Sequence, residues 1–146
     1  MFIDYTLSLA DTVTVTTSAA STNYIDTQAA GNNYHDCFFV AMVESTAFAI
    51  KNGAPSVNFE LQTSDNVNFT GASTSTFTLC AVTGLLGAAL TASTIVARIP
   101  IPMGALRYLR GYYNVTNYAA ATIDFSACSY SMFIARDVDG LITGKQ

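Results

Sequence analysis

The 146-residue chain fits a single domain over residues 1–146, and 51 % of its residues are hydrophobic, only 11 % are charged and the formal net charge is −4. An ordinary soluble domain has roughly 25 % charged residues, so we expect other subunits to cover much of this sparsely charged surface. The acidic balance argues against nucleic acid as a partner, and no apolar run approaches the roughly 20 residues of a membrane-spanning helix, so no membrane partner is predicted either.

The first half of the chain reads as short strands separated by polar turns. Alternating or continuous apolar residues predict strands over Asp11–Thr17, Cys37–Val43, Val57–Gln62 and Thr76–Val82. Cys37–Val43 is apolar on both faces, which indicates a central strand. The polar residues 18–33 predict a loop that contains a short strand. Residues 63–75 predict a turn from which Val67 and Phe69 return to the core.

The second half is dominated by the stretch Ile95–Val115, whose two prolines and Gly104 predict a strand, a bend and a second strand. Residues 84–92, rich in Gly and Ala, predict a loop or one helical turn. Thr122–Arg136 is the longest extended run, and its last part is apolar on both sides. About eight strands at this spacing, with little helix, predict an all-β, antiparallel, jelly-roll-like β-sandwich.

Half of the six cationic side chains lie in the stretch Ile95–Val115, beside several tyrosines. Seven of the ten acids lie within the first 90 residues, where Lys51 is the only cation, so we expect the arginines to pair with acids of the first half; an acidic neighbouring protein is the alternative. Tyr and Arg are also the side chains that protein interfaces favour, although Tyr is equally common in sandwich cores. The residues predicted to form an interface are Arg107, Tyr108, Arg110 and Tyr112.

Catalytic or metal-binding patterns are weak. The single histidine, His35, is followed by Asp36 and Cys37, but adjacent residues of a strand point to opposite faces and do not converge on one ion. We therefore expect no enzyme activity, no cofactor and no metal; a distant Ser or Cys that meets His35 would make a small hydrolase the third alternative. Cys37, Cys80 and Cys128 have no C-x-x-C spacing and are predicted to be reduced core residues.

Four stretches of the chain resemble the cement, or decoration, proteins of tailed phages, of the Bordetella-phage type. They are FID and LSLAD within Phe2–Asp11, VTTSAASTNYID at Val15–Asp26, FELQTSDNVNF at Phe59–Phe69, and IPxxALRYLRxYY at Ile101–Tyr113. The resemblance extends over most of the chain in the same order. It implies a jelly-roll-like sandwich that binds the outside of an icosahedral head, as a homo-oligomer (dimer or trimer) astride neighbouring major capsid protein subunits.

The implied location is the capsid exterior of the virion, after synthesis in the cytoplasm of the host bacterium. The N-terminal residues lack the basic region of a secretory signal, so we do not expect export. A different class of protein is the alternative: a carbohydrate- or receptor-binding β module of a phage fibre or adhesin. Exposed aromatic residues clustered on one face would favour that alternative, whereas the absence of Trp argues against a sugar-binding platform.

Overall fold

The computed structural model describes residues 7–14, 17–30, 34, 36–45, 49–51, 56–70, 76–86, 91–116, 122–124 and 129–136. The strands in these ranges are β1 Ser8–Thr14, β2 Ala19–Asp26, β3 Phe38–Ser45, β4 Ala49–Lys51, β5 Ser56–Ser64, β6 Thr76–Leu86, β7 Thr94–Pro100, β8 Tyr108–Thr116, β9 Thr122–Asp124 and β10 Ser129–Ala135. These ranges contain no α-helix. Accordingly, no described helix is long and apolar enough to cross a membrane.

Eight strands form two four-stranded sheets. The first sheet has the order β1-β10-β3-β7 and the second has the order β2-β8-β5-β6, while β4 and β9 pair with each other. Within the two sheets β1 pairs with β10, β2 with β8, β3 with β7 and β5 with β6, all antiparallel. This nested pairing is a long hairpin rolled into two sheets, which is the jelly-roll arrangement. The predicted all-β sandwich of about eight strands is confirmed.

The hydrophobic core lies between the inner faces of the two sheets. In β5, Val57, Phe59 and Leu61 are fully buried, and the residues between them are only half-buried. Successive residues of a strand point to opposite faces, so this alternation places the polar residues of β5 on the outside of the second sheet. The alternation predicted for Val57–Gln62 is confirmed.

Three aromatic side chains join the two sheets at the centre of this core. The Phe59 ring lies 5.8 Å from that of Tyr113 and 5.1 Å from that of Tyr130, and the two tyrosine rings are 5.9 Å apart. Such pairs contribute about 0.5–1.5 kcal/mol each beyond the area they bury. Because the rings come from β5, β8 and β10, they fix the second sheet against the first.

Strand β3 lies between β10 and β7, and is apolar on both faces as predicted for a central strand. Phe39, Ala41 and Val43 belong to the main core. Val40 instead packs with Phe133 in a second small cluster, joined by the partly buried residues Phe38, Ile95 and Ala135. The second cluster explains why Cys37–Val43 shows no polar alternation.

Two predicted loops contain more strand than expected, although residues 87–90 of the second lie outside the described part of the chain. Within residues 18–33, β2 is an eight-residue strand rather than a short one, and only Ile25 in it is buried. Its polar composition suits an edge strand that pairs on one side only, and composition alone did not distinguish such a strand from a loop. Likewise, β6 continues through Gly84 to Leu86 because Gly84 adopts a φ of +70° and donates its backbone N–H to Asn58 Oδ1 at 2.7 Å.

The run Thr122–Arg136 contains β9 and β10, and residues 125–128 between them lie outside the described part of the chain. In β10 the side chains from Ser129 to Ile134 are all buried. The sequence prediction that this last part is apolar on both sides is confirmed, because Tyr130 and Met132 face the main core and Phe133 faces the second cluster.

Candidate interaction surface

The exposed side of the second sheet carries a continuous set of aromatic, amide and charged side chains. We call this surface the outer face; it comprises Tyr24 of β2, Tyr108, Arg110, Tyr112 and Asn114 of β8, Asn58, Glu60 and Gln62 of β5, and Thr78 of β6. The even-numbered residues of β8 point outward because Leu109 and Tyr113 are buried in the core. Since β8 and β5 are the inner strands of their sheet, their side chains lie at the middle of the outer face.

The structure brings together all four residues predicted to form an interface. Tyr108, Arg110 and Tyr112 are alternate residues of β8, and Arg107 immediately precedes that strand. The guanidinium carbon of Arg107 lies 5.0 Å from the centre of the Tyr108 ring, and that of Arg110 lies 5.8 Å from the centre of the Tyr112 ring. Whether these residues bind a partner stays a prediction.

Arg107 is held by an acid of the first half of the chain, as predicted. Its Nε and Nη2 atoms donate to the two carboxylate oxygens of Asp26, each at 2.9 Å. The side-chain hydrogen bonds from Arg107 and the backbone N–H of Gln28 lower the pKa of Asp26. The Arg107 carbonyl in turn accepts hydrogen bonds from the backbone and side chain of Thr27, each at 2.8 Å. Arg107 therefore ties the end of β2 to the start of β8.

Arg110 has a different environment, because no acid among the described residues pairs with it. Its Nε atom donates to the amide oxygen of Gln62 at 3.0 Å, and its guanidinium carbon lies 4.2 Å from the centre of the Phe69 ring. Burial lowers the pKa of Arg110, and Tyr112 opposes this effect. Arginine stays charged in proteins despite such a shift. The outer face thus has a half-buried cation at its middle.

Phe69 covers Arg110 instead of returning to the core, so the prediction for Val67 and Phe69 is wrong. Val67 is exposed. A tight turn at Asn66 sets the position of Phe69: the side-chain oxygen of Asn66 accepts the backbone N–H of Asn68 at 2.9 Å, and its carbonyl accepts that of Phe69 at 3.0 Å. Phe69 has a φ of +51°, and this backbone conformation is unfavourable for any residue that has a Cβ atom. The turn directs the ring over the guanidinium.

Glu60 organises the polar side chains around Arg110. Its carboxylate accepts hydrogen bonds from Thr78 Oγ1 at 3.0 Å, from Asn114 Nδ2 at 3.1 Å and from Gln62 Nε2 at 3.3 Å. Because Glu60 takes the N–H of the Gln62 amide, the oxygen of that amide is turned towards Arg110. Sequence analysis missed this network, although the outward alternation of β5 was visible and marked Glu60 and Gln62 as neighbours on one face.

Tyr24 forms the edge of the outer face on the side of β2. It is 52 % exposed, and its ring meets that of Tyr108 edge to face at 5.9 Å. An exposed tyrosine held by a second aromatic ring offers a large contact area at a low cost in side-chain entropy. The outer face therefore combines rigid aromatic groups with one central cation.

Candidate catalytic and metal-binding residues give no assembled site in the described part of the chain. No three described His, Cys, Asp or Glu residues lie close enough to hold a metal ion. His35 and Cys128 lie outside the described residues. Cys37 is buried and free as predicted, and Cys80 is free and half-buried, with its side chain packed against the main core. Burial raises the pKa of both thiols, that of Cys80 to about 11.

The family model named Bbp16 matches residues 9–129 of the chain. The chain belongs to the Bbp16 family. The family name is associated with Bordetella phage, so the protein is phage-related, in agreement with the resemblance stated above at that level. The matched range runs from β1 to the first residue of β10 and includes every described residue of the outer face. No curated protein matches this Bbp16-family chain.

Proposed function

We propose that this Bbp16-family protein decorates the outer surface of a tailed-phage capsid, where it bridges neighbouring major capsid protein subunits and stabilises the head against internal pressure. The observation that carries the proposal is the outer face, which presents aromatic side chains around a half-buried arginine on a protein of a phage-associated family. Aromatic residues and Arg dominate the binding energy of protein interfaces. The proposed role is structural, with no catalytic residue and no cofactor.

The outer face is suited to a protein partner because its side chains are ordered in advance. Arg110 is held by Gln62 and Phe69, Gln62 is held by Glu60, and Tyr108 is packed between Arg107 and Tyr24. Binding then costs less side-chain entropy, since these groups already have one conformation. An acidic protein with so few charges gains little from long-range attraction, so contact area and shape have to supply its affinity.

Bridging explains how a small module strengthens a much larger shell. Packaged DNA pushes the capsid subunits apart, and a rigid body bound on both sides of a seam opposes that movement. Two contacts on one rigid body act at a high effective concentration, so together they bind far more tightly than either alone. The central aromatic cluster of Phe59, Tyr113 and Tyr130 gives the sandwich this rigidity. A homodimer or homotrimer would multiply the contacts again.

The proposal is tested on phage heads that lack the protein. We expect such heads to assemble, but to release DNA at a lower temperature than complete heads. When the salt concentration is lowered, they should release DNA at a higher salt concentration than complete heads. Addition of purified protein should restore the release temperature, as measured by the fluorescence of a DNA-binding dye. Heads that are equally robust with and without the protein would contradict the proposed role.

A second candidate function is supported by the exposed Tyr24 and the amide and carboxylate groups beside it. Carbohydrate-binding surfaces combine an aromatic ring with such polar groups, so a carbohydrate- or receptor-binding module of a phage fibre or adhesin is the alternative. The two functions are distinguished by parallel binding of the purified protein to empty heads and to an array of bacterial glycans. Decoration predicts binding to heads alone, and the alternative predicts binding to glycans alone.

A further inference from the structure

Arg110 has donors that the described residues do not use. A guanidinium has five N–H donors, and the hydrogen bond of Arg110 within the described residues is the one from Nε to Gln62. Phe69 lies over the guanidinium and Tyr112 lies beside it. Burial has therefore removed part of the water around this cation, while its two Nη atoms have no acceptor in the described part of the chain.

Arg107, three residues earlier in the same protein, is an arginine whose guanidinium is paired with a carboxylate. It makes a two-point ion pair with Asp26, although it is more exposed than Arg110. The less exposed arginine lacks the carboxylate that the more exposed one has. Because a desolvated charge is costly unless it is paired, an acceptor supplied from outside would relieve that cost.

The contacts that hold Arg110 in place also leave its two Nη atoms without an acceptor among the described residues. Glu60 receives three hydrogen bonds and orients Gln62, which in turn holds Nε. A carboxylate that approaches from the solvent can then accept two parallel N–H bonds from the Nη side, which is the strongest geometry for an arginine ion pair. This arrangement is a preformed receptor for one carboxylate group.

We propose that Arg110 binds the carboxylate of an acidic side chain on a major capsid protein subunit, between the rings of Phe69 and Tyr112. This inference rests on the proposed function. A polyanion such as DNA is disfavoured because the net charge of the protein is −4. A second copy is disfavoured because Arg110 lies on an inner strand, so a two-fold contact through the outer face would bring the two Arg110 cations towards the same axis.

The first test measures the affinity of purified variants for empty heads by co-sedimentation. Losing one member of a desolvated ion pair at an interface weakens binding by on the order of 30-fold or more, so we expect that loss for Arg110→Gln and a smaller loss for Arg110→Lys. Arg136→Gln is the matched control. It removes the same charge from a side chain that is 81 % exposed and that follows β10, a strand of the other sheet, so this variant should bind like the wild type. Thermal melts confirm that each variant is folded.

The second test identifies the partner carboxylate. A carbodiimide joins an amine and a nearby carboxylate into an amide, so R110K should cross-link through position 110 to an acidic residue of the major capsid protein. Peptide mass spectrometry locates the link, and R136K serves as the matched control that should give none to the capsid protein. Both results together would support the proposal.

The outcomes separate this inference from the function on which it rests. If wild-type protein binds heads and the folded Arg110→Gln variant binds equally well, the carboxylate contact is wrong and decoration stands. If R110K is folded and bound but cross-links only to a second copy of the chain, the partner is wrong. If wild-type protein does not bind heads, both the inference and the proposed function are overturned.

Discussion

Substitution of Gly111 tests how closely the second sheet packs against the first. A Cβ atom placed on Gly111 would overlap Cε of Met132, and would lie 2.9 Å from Sδ of Met132 and 3.3 Å from Cβ of Ser21. Met132 is fully buried, so its side chain has no free space to enter. The Oγ of Ser21 accepts the backbone N–H of Gly111 at 2.9 Å, so a shift of β8 would also disturb the irregular pairing of β2.

The expected cost follows from these contacts. Adding a methyl group to a well-packed core costs about 1–3 kcal/mol, and the entropy that Ala removes from the unfolded chain returns about 0.4–1 kcal/mol. The difference is about 0–2.6 kcal/mol, and because Met132 is fully buried we expect Gly111→Ala to destabilise the protein by about 1–2 kcal/mol. For a domain of this size that corresponds to a fall in Tm of roughly 3–7 °C.

A double-mutant cycle with Met132 makes the reasoning refutable. Met132→Ala alone should cost about 2–5 kcal/mol because it leaves a cavity. In Gly111→Ala combined with Met132→Ala, the new methyl group enters that cavity, so the combined loss should be smaller than the sum of the two by about 1–2 kcal/mol. Urea unfolding followed by circular dichroism gives these values. Additive losses, or a neutral Gly111→Ala variant, would refute the packing described above.

Three further predictions concern single groups. Tyr113→Phe removes a buried hydroxyl that has no hydrogen-bond partner among the described residues, so Tm should be unchanged or rise by a few degrees; a fall of more than about 5 °C would contradict this. The pKa of Asp26 is lowered in the folded state, so its stabilising contribution is present above its ordinary pKa of 3.8 and is lost as the pH falls through the lowered value; D26N should show a smaller drop in Tm between pH 6 and pH 2 than the wild type. With a pKa of about 11 against an ordinary 9.0, Cys80 should react with iodoacetamide at pH 8 about 100-fold more slowly than an exposed thiol, and an equal rate would show that it is not buried.

The fold was predictable because strand periodicity is a local property. In β5, Val57, Phe59 and Leu61 alternate with polar residues, and β3 is apolar on both faces. Each pattern therefore indicates which faces of its strand are buried. The pairing of strands is non-local, and no pairing was predicted from the sequence. The full length of β2 was not predicted, because an edge strand with one buried residue has the composition of a loop.

The candidate surface was predictable only in part. Tyr and Arg at alternate positions of one segment marked β8. The separation of cations and acids along the chain predicted an acid of the first half as a partner for these arginines, but it did not identify Asp26 as the partner of Arg107. The environment of Arg110 did not follow, since it depends on a turn at Asn66 that brings Phe69 over the guanidinium and on a cross-strand contact with Gln62. Such contacts depend on register and turn geometry, which residue types alone do not specify.

Direct imaging of heads is the measurement that tests the central claim most sharply. Empty heads that lack the protein are incubated with purified wild-type protein and compared with untreated heads by electron cryo-microscopy. We predict additional density of jelly-roll shape on the outer surface, at sites that contact two major capsid protein subunits, with the side chains of β8 facing the shell. Heads that gain no outer density at saturating protein concentration would contradict the account.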